Sequence, residues 1–379
     1  MSKINSAESI RGLACMAVVF SHMSLIYFPF LHNFDNRESS ENLIVNALHH
    51  SPFGFLFSGT AAVYVFFVLS GFVLSYAILS KQNVNEKILS MAIKRYPRLG
   101  IPALISCILI YFVLYLLDVD KSQVSYWIQN YGKASTFLNA LYEGTVGAFI
   151  FGESSLNFVL WTMQVELLAS LGLFALLYAY NNSSKYIFFT LSLIIPFLFA
   201  PISVKLFLGM FSFIGGMYLY LYGKKIPTFL TIPSLILGLY FAGIHLTSAS
   251  YSMITSVLGK NSYQLLNFMS GFLIVFGVLF NERVSNLLDN KALVLLGKLS
   301  FSIYLIHVIC LYAISIPLFN ILNEYLGYNL AAILASIFSI VLMLLFANYY
   351  SKYVDDLSIK VANKIESKVK NLKREKAPI

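Results

Sequence analysis

Long apolar stretches separated by short polar segments run through almost the whole of this chain. About ten of them are long enough to cross a bilayer as a helix. Neither a repeat of fixed period nor a long Pro-, Gly- or Ser-rich linker divides them. The pattern predicts an all-α, polytopic transmembrane helical bundle of about ten membrane-spanning helices, formed by residues 1–350 as one domain. The stretches are centred near residues 20, 67, 108, 169, 194, 214, 238, 273, 309 and 340.

One further stretch, residues 139–157, is only weakly apolar. Glu143 and Glu153 interrupt it, each beside a glycine. Irregular backbone at membrane depth must line a cavity or be buried in protein. We therefore expect a re-entrant or interfacial segment that precedes the fourth helix.

The basic residues between the apolar stretches predict the orientation. If the N-terminus is cytoplasmic, the inner segments receive most of the Lys and Arg residues, which is the usual bias of cytoplasmic loops. An even number of spans with both termini in the cytoplasm is therefore expected. Residues 351–379 are predicted to form a basic cytoplasmic tail. The tail is either a helix lying on an anionic lipid surface or a solvated extension.

Composition supports a membrane protein and excludes several functional classes. Of the 379 residues, 58% are hydrophobic and only 11% are charged, which is outside the range of soluble domains. The net charge of +9 reflects topology, so no nucleic-acid partner is expected. Cys15, Cys107 and Cys310 lie within apolar runs and have no metal-ligand spacing. We expect neither a metal site nor a permanently bound cofactor.

Two ionisable residues interrupt the first apolar stretch. Ionisable groups at membrane depth are costly, so they are by default candidates for function. Arg11 and His22 are eleven positions apart, which places them on one helical face about 16 Å apart along the axis. This spacing allows an anion held near one membrane surface to reach a base near the bilayer centre.

A second polar group, Lys94-Arg95-Tyr96-Pro97-Arg98, precedes the third helix. Guanidinium groups match phosphate oxygens, and Arg95 and Arg98 point the same way on a helical turn. On its own this group is typical of the positive charge that flanks a membrane span. Together with Arg11 at the same predicted membrane face, it favours an anion site.

A third group, Trp161 to Glu166, lies in the outer half of the fourth predicted helix. Counted from the outer helix ends, Glu166 and His22 reach the same depth. The carboxylate and the imidazole are therefore predicted to share a proton and act together as a general base. The alternative is that each bonds a separate packing neighbour. Trp161 alone is typical of an interfacial anchor.

The fourth group lies on the ninth predicted helix. Ser300, Tyr304 and His307 are spaced i, i+4 and i+7, which forms one polar stripe. A stripe of hydroxyl groups that ends in histidine predicts a cavity wall. A single intramembrane histidine is more often a buried hydrogen-bonding residue than a catalyst.

Taken in order, these motifs resemble those of the acyltransferase-3 family of integral membrane acyltransferases. The small residues Ser70-Gly71 within them are expected to let helices approach closely. One departure is Glu8, which stands where the family often has aspartate. The motifs that carry the resemblance are Arg11 with His22, the run Phe66–Phe72, Arg95-x-x-Arg98, Trp161-x4-Glu166 and the run Ser300–His307.

The resemblance implies a cytoplasmic acyl-coenzyme A donor, most simply acetyl-coenzyme A, and a hydroxyl acceptor on a cell-surface or lipid-linked carbohydrate. It also implies that Arg11, Arg95 and Arg98 bind the donor and that His22 takes part in the chemistry, and we expect Glu166 to assist His22. Trp161, Ser300, Tyr304 and His307 are candidates for cavity or oxyanion support. The expected location is the plasma membrane. Without an extracytoplasmic esterase-like domain, transfer is expected to finish within the membrane domain or on a separate extracytoplasmic transferase.

Two other classes share some of these features. A transporter or flippase of lipid-linked glycans also needs many helices and a polar cavity, but it more typically shows inverted repeats. A membrane glycosyltransferase is typified by a large outer loop with acidic residues, whereas the loop at residues 32–51 is modest. Acyl transfer is therefore the leading hypothesis, with transport of glycans as the alternative.

Overall fold

The computed structural model describes residues 2–34, 40–132 and 135–375, and within these ranges the chain forms helices and no strands. This confirms the all-α prediction. The α-helices are α1 Ser2–Tyr27, α2 Leu43–His49, α3 Gly59–Leu79, α4 Val84–Leu116, α5 Tyr126–Gln129, α6 Phe137–Tyr142, α7 Thr162–Asn182, α8 Lys185–Phe199, α9 Val204–Tyr222, α10 Thr231–Ala242, α11 Ser252–Leu258, α12 Asn261–Leu279, α13 Glu282–Leu288, α14 Lys291–Cys310, α15 Ile316–Leu326, α16 Tyr328–Tyr350 and α17 Asp356–Glu375.

Within the described ranges, eight helical segments are long and apolar enough to span a membrane. Every predicted centre falls in one of these eight or in one of the shorter apolar helices Lys185–Phe199 and Thr228–Ala242. The polytopic prediction is thus confirmed. The long segments are Asn5–Tyr27, Gly59–Leu79, Val84–Leu116, Phe158–Asn182, Val204–Lys225, Asn261–Leu279, Lys291–Leu326 and Tyr328–Leu372.

Helices α1 and α14 pack against each other at the centre of the bundle. Their backbones touch where Gly12 faces Gly297. A Cβ atom on Gly12 would lie only 2.7 Å from the Gly297 amide nitrogen, and one on Gly297 would overlap the Glu8 carbonyl. Only glycine permits this approach, and it fixes the positions of all side chains along the two helices.

The small-residue contact predicted at Ser70-Gly71 combines packing and polarity. Gly71 of α3 lies against the backbone of Phe213 on α9, where a Cβ atom would overlap the Phe213 carbonyl. Ser70 donates a hydrogen bond to a carboxylate oxygen of Glu166 at 2.9 Å. The glycine therefore serves helix packing as expected, whereas the serine belongs to the polar site.

The weakly apolar segment before α7 is helical but irregular. After α6 the chain continues as a π-helix over Glu143–Phe151 and ends at Gly152, which has a φ of 67°. The Glu143 carboxylate is buried and accepts hydrogen bonds from Asn139, Ser154, Ser155 and the Leu156 amide. Neutral donors thus satisfy this buried charge, and they fix the chain just before the 3₁₀ turn Phe158–Trp161.

The C-terminal segment is a docked helix. A π-helical turn at Ser351–Asp355 continues α16 into α17, which packs along α4. Lys94 forms an ion pair with Glu366 at 2.9 Å, and Ala362 is fully buried. These contacts argue against a solvated extension for the described part of the tail.

Candidate active site

A cavity of about 730 Å³ opens beside the first turns of α1 and α14. Helices α1, α3, α4, α7, α14 and α17 contribute to its wall. Its charged and polar lining residues include Glu8, Arg11, Ser70, Arg95, Arg98, Thr162, Glu166, Lys298, Ser300, Tyr304, Asp355 and Asp356. All three predicted donor-binding arginines and Glu166 therefore line one space.

Two of the three arginines are paired with carboxylates. Arg11 contacts Glu8 one helical turn away at 3.0 Å. Arg95 bonds the Glu166 carboxylate and also donates to the Ser170 hydroxyl at 2.9 Å. The Arg95 and Glu166 side chains are only 17% and 14% exposed. Their pair ties α4 to α7 and is largely shielded from solvent.

Two other cations in the cavity have no such partner. Arg98 and Lys298 are exposed, line the cavity and form no ion pair with the rest of the described chain. They are the groups available for an external anion. The sequence analysis selected Arg98 as an anion-binding residue but not Lys298. The place of Lys298 just before the Ser300–His307 run could have indicated it.

The end of the cavity nearest to His22 is closed by a pair of hydroxyl groups. The Tyr304 hydroxyl donates to the Val159 carbonyl at 2.9 Å and lies 3.0 Å from the Thr162 hydroxyl. Ser300, one turn before Tyr304, also lines the cavity. These two members of the predicted polar stripe are thus cavity residues, as expected.

The third member of the stripe, His307, lies beyond this closure and contacts His22. His22 Nδ1 is 2.8 Å from His307 Nε2. The two rings are nearly coplanar, at 8°, with centroids 5.0 Å apart. This is the geometry of an in-plane hydrogen bond that joins the ring edges.

The partners of His307 define the tautomer of both rings. His307 Nδ1 lies 2.7 Å from the Tyr304 carbonyl, which can only accept, so Nδ1 carries the proton. For neutral imidazoles, which an apolar environment favours, His307 Nε2 then accepts from His22 Nδ1. His22 Nε2 is left as an unprotonated lone pair. That nitrogen makes no hydrogen bond within the described chain, and the His22 side chain is only partly buried.

Aromatic side chains surround His22 on its other sides. The Trp127 ring lies nearly parallel to the imidazole, with centroids 5.7 Å apart, and Phe158 meets it edge-on at 5.1 Å. Trp127 is held in place because Ser125 bonds the backbone of Leu25 and Ile26 at the end of α1. No single motif in the sequence indicated Trp127 as a neighbour of His22.

The predicted pairing of His22 with Glu166 is not formed: the imidazole bonds His307, whereas the carboxylate bonds Ser70 and Arg95. Phe158 is the residue of this segment that lies level with His22. Glu166 follows eight positions later, about 12 Å along the helix towards the arginines. Counting depth from the start of the apolar run placed Glu166 too far outward.

Trp161 lies apart from the cavity and from His22. Lys205 sits over its ring at 4.5 Å, and Phe67 approaches its edge. A cation over an indole ring is a favourable contact, and it anchors the start of α7 to α9. Trp161 is not among the residues that line the cavity.

A second group of histidines lies on the far side of the bundle from the cavity. His32 bonds Ser24 at 2.7 Å and His245 at 3.4 Å, and His49 bonds Thr247 and the Leu31 carbonyl. Burial lowers the pKa of His245 to about 4, and burial together with His245 holds the pKa of His32 well below its usual value. Within the described chain, these side chains do not form a metal-binding group.

Comparison with known proteins identifies one family. The family model described as an acyltransferase domain, acyltransferase 3, matches residues 4–348. Neither the curated proteins nor the solved structures contain a match to the chain. The matched region includes the cavity-lining residues of α1, α3, α4, α7 and α14 and the histidine pair, but α17 lies outside it.

Proposed function

The chain belongs to the acyltransferase-3 family of integral membrane acyltransferases, and we propose that it transfers an acetyl group from cytoplasmic acetyl-coenzyme A to a hydroxyl group of a cell-surface or lipid-linked carbohydrate. The observation that carries this proposal is the His22–His307 pair placed just beyond a cation-lined cavity. The pair supplies a base, and the cavity supplies a site for a phosphorylated donor.

In this proposal the donor phosphates bind at the cavity mouth, where the unpaired cations lie. Arg98 and Lys298 line the cavity and form no ion pair within the described chain, and Arg11 lines the same cavity with Glu8. Charge-assisted bonds to phosphate are among the stronger polar contacts of proteins. Arg95 is already engaged by Glu166, so in this proposal it supports the cavity wall and Arg98 makes the phosphate contact.

His22 is the proposed general base. As the acceptor oxygen bonds to the thioester carbonyl carbon, its proton passes to His22 Nε2. When the tetrahedral intermediate collapses, the carbon–sulfur bond breaks and the same proton passes to the leaving thiolate. His22 Nδ1 keeps its hydrogen bond to His307 throughout, which orients the ring and stabilises the transient imidazolium.

Tyr304 is the proposed oxyanion donor. Its carbonyl bonds His307 and its hydroxyl closes the cavity, so it lies between the donor site and the base. Its hydroxyl has to exchange the Val159 carbonyl for the developing oxyanion. This exchange also opens the end of the cavity nearest to His22. One movement of the Tyr304 hydroxyl therefore admits the thioester and stabilises its intermediate.

Two experiments test the proposal: supplying the donor to one membrane face only, and replacing Arg95 or Arg98 by alanine. In sealed, uniformly oriented vesicles, labelled acetyl-coenzyme A supplied only to the face that carries α17 should release free coenzyme A and label the acceptor. Arg98→Ala should raise KM for the donor about tenfold or more, the loss expected for a charge-assisted contact. Arg95→Ala should instead lower the unfolding temperature, because it leaves the Glu166 carboxylate unpaired.

The matched control is Arg283→Ala, which removes an exposed arginine outside the cavity and should change neither quantity. Equal activity with donor on the opposite face would contradict the proposed orientation. Mass spectrometry of surface carbohydrate from a deletion strain identifies the acceptor, because the acetyl groups that this protein adds should disappear.

A further inference from the structure

Three aromatic side chains beside His22 have exposed surface that does not belong to the donor cavity. Trp127 and Phe158 contact the imidazole, and Tyr131 contacts both of these rings. All three residues and His22 are partly exposed, yet none of the four lines the cavity. We call the three rings the aromatic platform. Its exposed surface gives the base a second approach, separate from that of the donor.

The platform lies at the end of the bundle that is remote from the donor-binding cations. Arg98 lines the cavity, and α4 continues from there to Leu116, about 27 Å further along its axis. The segment that carries Trp127 and Tyr131 follows the end of α4. As described above, this segment is attached to the last turn of α1, beyond His22 as counted from Arg11. Donor and platform therefore meet the base from opposite ends of the bundle.

Polar contacts hold the rings of the platform in position. Lys121 Nζ donates a hydrogen bond to the Tyr131 carbonyl at 2.7 Å. The Gly132 amide donates to the Ser155 carbonyl, which joins this segment to the chain just before Phe158. The platform is thus preorganised, which lowers the entropic cost of binding a ligand.

The chemistry of the platform and its edge favours a sugar. Aromatic faces carry partial negative charge, whereas one face of a pyranose ring presents C–H groups with partial positive charge. Asn130 and Ser155, next to the platform along the chain and in the backbone contact just described, are exposed and can bond hydroxyl groups. A sugar has both an apolar face and hydroxyl groups around its rim. An acyl chain has no group that bonds the polar edge.

We propose that Trp127, Tyr131 and Phe158 form the acceptor subsite, on which a sugar ring stacks so that one of its hydroxyl groups reaches His22 Nε2. This inference rests on the proposed function, because it assumes a carbohydrate acceptor. The hydroxyl pair that closes the donor cavity lies between the two substrates until the thioester enters. The platform, and not the donor cavity, determines which sugar is acylated.

The first test measures binding without chemistry, because the chain has two tryptophans, Trp127 and Trp161. The probe is the oligosaccharides released from the surface carbohydrate of a deletion strain, which is the proposed acceptor without its acetyl groups. The full-length protein is studied in lipid nanodiscs, free of sugar-based detergents. In Trp161→Phe, fluorescence from Trp127 should change as the oligosaccharides are added without donor. In Trp127→Phe, fluorescence from Trp161, which lies apart from His22, should stay constant.

The second test measures the effect of the platform on transfer. Tyr131→Leu should raise KM for the oligosaccharides about tenfold, the effect of losing one stacking contact. KM for acetyl-coenzyme A should stay within about twofold, because Tyr131 lies outside the donor cavity. Tyr131→Phe should recover most of the loss, since it restores a ring. Tyr126→Leu is the matched control, because Tyr126 is exposed on the same segment but lies outside the platform.

The outcomes separate failure of the subsite from failure of the proposed function. Transfer to the oligosaccharides with an unchanged KM in Tyr131→Leu, or without a fluorescence change at Trp127, would overturn the acceptor subsite and leave acyl transfer intact. An equal rise in KM for both substrates would also overturn it, since Tyr131 would then support the fold in general. If the wild-type protein labelled no carbohydrate from acetyl-coenzyme A, the proposed function would fail, and the subsite with it.

Discussion

The two groups of histidines in this protein differ in how their ring nitrogens are used. In the group of His32, His49 and His245, both ring nitrogens of every residue lie next to a hydroxyl group, a carbonyl or another imidazole. In the other group, His307 uses both nitrogens, but His22 uses only one. A fully bonded imidazole holds structure together, whereas a lone pair left free is available for proton transfer.

The largest expected effect that separates the two groups is loss of the free lone pair. His22→Ala should reduce turnover of acetyl-coenzyme A by about 100-fold or more, because general base catalysis contributes on that order. His32→Gln is the matched control in the fully bonded group and should keep turnover within about twofold while lowering the unfolding temperature. The two variants are compared by steady-state kinetics and by thermal unfolding in detergent. A His22→Ala protein that is folded and nearly fully active would reverse the assignment.

A smaller effect is expected at His307, which orients the His22 ring. His307→Ala should lower kcat by about 10- to 100-fold, less than removal of the base itself, since His22 stays in place but loses the acceptor for its Nδ1 proton. If the two rings act as a unit, the double variant should be no slower than His22→Ala alone. Simple multiplication of the two losses would show that His307 acts independently.

The most gradual effect should come from pH. The pKa of His245 is about 4 in the folded protein, below the ordinary value of about 6.5, so the unfolded chain binds the proton first as the pH falls. Stability should therefore be complete above pH 6.5 and decline between pH 6.5 and 4, by up to about 3 kcal/mol for this group. Unfolding temperatures at pH 7.5 and 5 measure the decline. His245→Gln should make the decline shallower, and an equally steep decline in that variant would assign it to other groups.

The sequence predicted the arrangement of the fold better than the contacts of the site. Eight of the ten predicted centres fall in helices long and apolar enough to span a membrane and the other two in shorter apolar helices, because a bilayer imposes length and apolarity on each helix separately. The common face of Arg11 and His22 also followed from helical geometry alone. These inferences are local to one helix.

The predictions that failed all concern contacts between different helices. Glu166 was placed level with His22 by counting from the start of the apolar run, whereas Phe158, eight positions earlier, is the residue that contacts His22. The partnership of His22 with His307 joins residues 285 positions apart, and nothing along the chain encodes it. Residues 351–379 were expected to form a tail because their lysines match a cytoplasmic extension. The buried contacts of Ala362 and Glu366 with α4 emerge only from packing.

The backbone contact between Gly12 and Gly297 has a consequence for substrate length. One helix carries Arg11 and His22, the other carries Lys298 and His307, and the contact prevents the two helices from sliding past each other. Cations and base are therefore held apart by about nine to eleven residues of helix, or about 14 to 16 Å. In the proposed mechanism, this separation sets the length that the donor must have between its phosphates and its thioester. A donor whose arm is several ångströms too short can reach the cations or the base, but not both at once.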